Sequence, residues 1–182
     1  MKNRTLLLLF TSASFLLYFA TLAYIHSRLP ERVATNFGAG GVPNDWMTRE
    51  EFLHLGLISG IALIIFSAVS YLMFRFLPLK AFRFHVFGAL GAEYWRRPEN
   101  TPRARQKLID GLLLCASTTM MIFSFVTLLL LSANLKPEPR LNTTALIITT
   151  AVYLIAGVIF AIAEFRSFRI PPKTESDEML PI

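Results

Sequence analysis

The sequence predicts an all-α membrane protein with four transmembrane helices, both termini cytoplasmic, forming a single integral membrane domain over residues 1–182. Three observations carry that prediction. Of the 182 residues, 54% are apolar or aromatic and only 16% are charged, with a mean hydropathy of +0.51, more apolar than a soluble domain of this length ordinarily is. The apolar residues are gathered in four blocks, each close to the roughly 20 residues a helix needs to cross the hydrocarbon core. None of the blocks holds Asp, Glu, Lys or Arg, and all ten prolines fall outside them. A segment in lipid must satisfy its own backbone donors and acceptors, which an unbroken helix does and an open strand does not. Disorder, a collagen-like fibre, a disulfide scaffold and a cytosolic enzyme are excluded on the same grounds. The single Cys115 lies inside a block, where it reads as a small buried hydrophobe and says nothing about redox compartment.

The first span runs from Thr5 to Ile25. Lys2 and Arg4 ahead of it resemble a signal-peptide n-region, but the apolar run exceeds the about 7–15 residues of a cleaved h-region, so an uncleaved helix is expected. After a loop over 26–51, the second span covers 52–74. Thr48 and Glu51 stand at capping-box spacing just before it, and His54 sits at its entrance. The third span covers 111–131. Thr101 and Pro102 read as its N-cap and first residue, so that the helix begins in water with Arg103, Arg105 and Lys107 before it enters lipid. Asn142 reads as the cap of the fourth span, 144–163, and the tail over 171–182 is short, polar and flexible.

The net charge of +6 is a topology signal. The N-terminus, the connection between spans two and three, and the tail together hold 13 of the 18 Lys and Arg residues. The other two connections hold the remaining 5: Arg28, Arg32, Arg49, Lys136 and Arg140. Positive residues are retained on the cytoplasmic side, which makes the 26–51 loop external. No basic soluble module with a nucleic-acid motif is present, so nucleic acid is not expected as a partner.

Buried charge inside spans marks most pumps and transporters, and these spans carry none. Ser12, Ser14, Ser67, Ser70, Thr118, Thr119, Thr149 and Thr150 are expected to bond their own backbone or a neighbouring helix. Gly56 and Gly60 form a GxxxG that permits close helix approach, either between helices of one chain or between copies.

The external loop concentrates the unusual residues: glycines at 38, 40 and 41, a Pro43-Asn44-Asp45 turn, and Trp46 at headgroup level. On residues alone it reads either as a small external binding surface or as a folded connector. Phe37 to Gly41 is not a phosphate cradle, since no Lys-Ser/Thr follows. Glu31, Asp45, Glu50, Glu51 and His54 have no metal-ligand spacing. No nucleophile–base pair is evident, so neither catalysis nor a metal or other cofactor is expected. In the cytoplasmic connection over 77–107, Phe82, Phe84, Phe87, Tyr94 and Trp95 alternate with Lys80, Arg83, Arg96 and Arg97. That pattern suits a segment lying in the membrane interface, rings inward and cations on lipid headgroups.

The chain resembles a bacterial multi-pass membrane family of unknown function, related to the N-terminal part of SdpI-type toxin-immunity and signalling proteins. Leu29, Pro30, Arg32, Val33, Phe37, Gly41, Pro43, Asn44, Trp46 and Arg49 follow the family's loop pattern. Tyr94, Trp95, Pro98 and Glu99 resemble a second, cytoplasmic motif of the family, and Asn134-Leu135, before the fourth span, also recurs in it, so that the resemblance spans most of the chain. Asn36 stands where the family has His, Ala34 where it has Pro, and Arg49 where it has Lys. An amide neither titrates nor ligates a transition metal well, so a proton- or metal-binding role of that His would be missing here. The resemblance implies binding through Pro30, Arg32, Asn36, Phe37, Gly41, Pro43, Asn44, Trp46 and Arg49, and immunity to or sensing of a secreted toxin. The expected protein is therefore a non-enzymatic component of the bacterial plasma membrane. Its partners are the bilayer and a peptide toxin or membrane protein, and a homo-oligomer is compatible with the sequence. The alternative is a small transporter or accessory membrane subunit.

Overall fold

The computed structural model describes residues 2–78 and 92–169, and within them the four expected spans are four long helices. Helix α1 covers Lys2–His26, α2 Arg49–Phe76, a short α3 Ala92–Arg96, α4 Thr101–Asn134 and α5 Thr143–Ser167. Each long helix contains a stretch long and apolar enough to cross a membrane, with mean hydropathy between 2.0 and 2.5. The chain is thus a multi-pass membrane protein by architecture. The helices extend beyond the apolar blocks because their ends are polar turns: α4 starts ten residues before Gly111 and, at about 1.5 Å per residue, continues well past the hydrocarbon on the Arg103–Lys107 side.

One element was not expected from the helical reading. The α1–α2 loop folds as an antiparallel hairpin, β1 over Arg32–Phe37 and β2 over Pro43–Thr48, closed by a 3-10 turn at Ala39–Gly41. Among the described residues the architecture is four long helices and the short α3, with a two-stranded sheet seated at one end.

Helix starts follow the sequence signals at two of three sites. Thr48 Oγ1 accepts from Glu51 N at 3.2 Å while Glu51 Oε2 accepts from Thr48 N at 2.8 Å, a complete capping box. Thr48→Ala is expected to lower stability by about 1 kcal/mol, read as a lower midpoint of thermal unfolding in detergent, with Thr48→Ser close to wild type. Asn142 Oδ1 accepts from Ala145 N at 3.0 Å, as expected. At α4 the start differs: Asn100 occupies the cap position without capping, and Thr101 is the first helical residue. The Asn100 amide instead donates to Tyr94 O at 3.0 Å, and the Thr101 hydroxyl donates to Arg97 O at 3.0 Å. Both side chains are drawn back into the preceding turn.

The core lies between α1, α2 and α4, where Tyr18, Leu22, Ile25, Leu53, Met120 and Leu131 meet Val33 of the hairpin. The GxxxG operates inside the chain. A Cβ on Gly56 would stand 2.8 Å from Leu22 Cδ2, and one on Gly60 would stand 2.8 Å from the Tyr18 ring and 2.9 Å from the Phe19 ring. The Tyr18 hydroxyl completes this contact by donating to Gly56 O at 2.8 Å. Ser14, Thr118, Thr119 and Thr149 each bond a carbonyl one turn back on their own helix. Cys115, expected to be buried, is exposed. The buried stripe of α4 runs through Ala116, Met120, Ser124, Thr127 and Leu131 at helical spacing, and Cys115 lies one position off it, on the side that would face lipid. None of the α5 residues is fully buried, so that helix rests on α4 with most of its surface open to the bilayer.

Candidate functional site

The hairpin is built from a chain direction fixed at both ends. Leu29, 3% exposed, closes α1 by donating its N–H to Ile25 O at 2.9 Å, and Pro30 and Glu31 then turn the chain into β1. At the other end the Arg49 N–H donates to Glu31 O at 2.9 Å and its guanidinium to Leu29 O at 3.4 Å, with Glu50 in ion-pair contact at 3.4 Å. Arg49 therefore joins the exit of α1 to the start of α2. In the pairing register, Arg32 faces Thr48, Val33 faces Met47 and Ala34 faces Trp46. Bulges then bring Asn36 opposite Asp45 and Phe37 opposite Pro43. Period-two alternation sends Val33, fully buried, toward the helices and leaves Arg32, Trp46 and Thr48 on the opposite face.

Two further contacts hold the hairpin down. The Asn134 side chain, at the end of α4, engages the Ala34 peptide as a strand would: Oδ1 accepts from Ala34 N at 2.7 Å and Nδ2 donates to Ala34 O at 3.0 Å. A third bond, from Nδ2 to Leu130 O at 2.9 Å, fixes the amide on its own helix. At the tip, Gly40 and Gly41 adopt φ of +71° and +74°, and the Leu141 N–H donates to Gly41 O at 3.0 Å. A Cβ on Gly41 would overlap the Leu141 carbonyl oxygen and stand 3.2 Å from its carbon. Glycine is required there by backbone conformation and by space together.

The hydrogen-bond directions determine what the hairpin can offer. Because the Ala34 N–H and C=O turn to Asn134, the Ala34–Trp46 pair is a non-hydrogen-bonded one, and the Trp46 polar backbone faces the free edge of β2. There the Trp46 N–H donates to Asp45 Oδ1 and the Thr48 N–H to Glu51 Oε2, both at 2.8 Å. Carboxylates from the same loop occupy the donors that an added strand would need, so this edge is closed. What remains open is a side-chain face. Arg32 lies over the Trp46 ring at 5.2 Å, within cation–π range. Trp46 is 36% exposed, and Asn36, Asn44 and Asp45 are exposed beside the bulge.

Of the residues singled out in the loop, Pro30, Arg32, Asn36, Asn44 and Trp46 are exposed, Pro30 at the turn out of α1 and the other four on the hairpin. Pro30, Phe37, Gly41, Pro43 and Arg49 build the hairpin that carries those four. No group of three His, Cys, Asp or Glu side chains able to hold a metal occurs among the described residues. Asn134 and Leu141 were not expected to take part. They lie 100 residues from their partners; the resemblance marks Asn134, as part of the Asn134-Leu135 pair, without indicating what it binds, and nothing in the sequence marks Leu141.

At the opposite end of the bundle, Tyr94, Trp95, Pro98 and Glu99 form a second cluster. Trp95 is not an interfacial ring as expected: it is 4% exposed, and its indole N–H donates to Phe168 O at 2.7 Å. Its ring packs edge-on against Phe168 at 5.5 Å and Tyr94 at 5.1 Å, with Lys107 Nζ 5.0 Å above it. Lys107 also donates to Ser167 O. The cluster ties α3 and α4 to the end of α5, while Pro98 and Glu99 are exposed in the connecting turn. Lys80, Phe82, Arg83 and Phe87, with Phe84 and the 171–182 tail, lie outside the described residues.

A family model described as a domain of unknown function, DUF1648, matches residues 13–60. That segment comprises the C-terminal half of α1, the whole hairpin and α2 as far as Gly60. The chain is also 38% identical over 80 residues to an uncharacterized protein of Archaeoglobus fulgidus, an overlap covering 38% of this chain and 43% of the relative. The chain thus spans less than half the length of the curated relative it matches. No solved structure matches the chain. The matched family segment coincides with the hairpin and the two helices that carry it, and it leaves out Asn134 and Leu141, which hold the hairpin from the other half of the chain.

Proposed function

We propose that the chain is a non-enzymatic plasma-membrane protein whose hairpin, outside the cytoplasm, recognises a peptide, toxin or partner protein. The observation that carries this reading is a polar hairpin fastened at Asn134, Leu141 and Arg49 that nevertheless presents Arg32 stacked on Trp46 to its surroundings. A connector would need only to reverse the chain. Preorganised Trp and Arg side chains are the residues that most often dominate binding energies at protein interfaces. The orientation rests on the excess of Lys and Arg at the opposite end of the bundle.

Recognition is by side chains rather than by strand addition, since Asp45 and Glu51 already occupy the outward N–H groups of β2. An immunity or sensing role fits such a surface and the resemblance of the loop. The transporter alternative rested on the Gly56/Gly60 face and the span hydroxyls. Those glycines receive α1 of the same chain, Ser14 and Thr118 bond carbonyls of their own helices, and the Ser117 hydroxyl donates to Thr11 Oγ1 at 2.9 Å, joining α4 to α1 within the chain.

Trp46→Ala and Arg32→Ala are the direct test, compared with wild type for survival under secreted-toxin challenge and for recovery of a crosslinked partner from intact cells. Both variants are expected to fold normally and to lose one or both responses. Wild-type behaviour of both variants in both assays contradicts the proposal.

A further inference from the structure

At the end of the bundle away from the hairpin, a cavity of about 420 Å³ opens between α1, α2 and α4, within the roughly 300–1,000 Å³ typical of small-ligand sites. Its lining brings together three arginines from three helices, Arg4, Arg75 and Arg105, beside Tyr71, Thr101 and Gln106. Each arginine stands within about one turn of its helix end, the depth at which a span passes from hydrocarbon to headgroups.

Like charges are not gathered without compensation, and no acidic side chain lines the cavity. Among the described residues the one ion pair is Arg49–Glu50, at the other end of the molecule. The nearest carboxylate along α4 is Asp110, already engaged by the Gln106 amide at 2.7 and 2.9 Å. Arg105 is held in place by its Nη1, which donates to Phe74 O at 2.8 Å and to Arg75 O. A guanidinium carries further donors at Nη2 and Nε. Arg4 and Arg75 make no side-chain hydrogen bond to the described residues.

We propose that this cavity binds a phosphate group, that of an anionic phospholipid headgroup presented by the surrounding leaflet. Guanidinium groups match phosphate oxygens with paired N–H donors, and basic pockets between membrane helices suit such headgroups. The inference does not depend on the hairpin's role or on which side of the membrane the cavity lies.

The full chain, purified in detergent, would be titrated with phosphatidylglycerol and, separately, with phosphatidylcholine, and the bound lipid read by native mass spectrometry. The same protein in phosphatidylcholine nanodiscs would be titrated with inorganic phosphate and its thermal midpoint followed. Arg4→Gln combined with Arg75→Gln removes two charges without breaking a described hydrogen bond. Arg96→Gln combined with Arg97→Gln removes two exposed charges from the same end.

Wild type is expected to retain phosphatidylglycerol over phosphatidylcholine, and the cavity variant to bind it roughly tenfold or more weakly, with the Arg96/Arg97 variant near wild type. Stabilisation by inorganic phosphate that is lost in the cavity variant alone, without selective lipid retention, would support the phosphate site but assign it a soluble ligand, overturning the lipid source. Equal loss in both double variants would reduce the effect to general surface charge and overturn the site, as would wild-type lipid and phosphate binding by the cavity variant.

Discussion

Asn134→Leu is expected to release the hairpin from α4 and to lower stability by roughly 2–5 kcal/mol. The replacement is similar in shape, so the loss comes from the Ala34 peptide: its N–H and C=O remain buried with no partner, at about 1–3 kcal/mol each. Ala34 is fully buried and Asn134 is 5% exposed, so water does not readily replace the amide. Asn134→Asp separates the hydrogen bonds from the packing. A carboxylate still accepts from the Ala34 N–H at the place of Oδ1 but opposes the Ala34 carbonyl where Nδ2 donated. Its deficit should shrink as the pH falls and the carboxyl gains a proton to donate. Thermal unfolding in detergent, with hydrogen exchange read at the Ala34 amide, checks both variants. Wild-type protection of that amide in Asn134→Leu would show that the hairpin is held by other means.

Gly41→Val is expected to have an effect of similar size by a different route. The backbone at Gly41 has φ of +74°, which costs a β-branched residue roughly 1–3 kcal/mol. The new Cβ also overlaps a backbone oxygen, that of Leu141, which no side-chain rotation can relieve. Either the tip lifts or the α4–α5 loop retreats, and in both cases the Leu141 N–H to Gly41 O bond breaks. Gly40→Ala is the internal comparison: φ is +71°, but nothing lies within 4 Å of its Cβ, so only the conformational cost remains, about 1–2 kcal/mol. Exchange at the Leu141 amide should accelerate strongly in Gly41→Val and little in Gly40→Ala. Equal behaviour of the two would show that the tip contact contributes nothing.

These two contacts also mark where the sequence stops being informative. The helices are legible because their signal is local: uncharged apolar runs of spanning length, the Thr48–Glu51 box, Asn142 ahead of Ala145. The Gly56/Gly60 spacing indicates close helix approach, though not which helix approaches. The strands are not legible. Arg-Val-Ala-Thr-Asn-Phe has no clean alternation, and both Val33 and Ala34 are buried, one against the core and one under Asn134. A lone two-stranded hairpin is marginal in water, and this one is held by groups 100 residues away in the chain, which no local pattern encodes. The burial of Trp95 is hidden from the sequence for a related reason. An aromatic residue among cations has the composition of an interfacial segment, and only the return of α5 to bring up Phe168 makes it a buried one.

The proposed role requires the hairpin to face away from the cytoplasm while the arginine-rich end faces into it. Labelling with a membrane-impermeant maleimide tests this most directly, using Asn44→Cys and Arg97→Cys separately in a Cys115→Ala background. Asn44 is exposed beside the hairpin bulge and Arg97 is exposed in the turn after α3. In intact cells Asn44→Cys should be labelled and Arg97→Cys should be labelled only after permeabilisation; the reverse pattern would contradict the account.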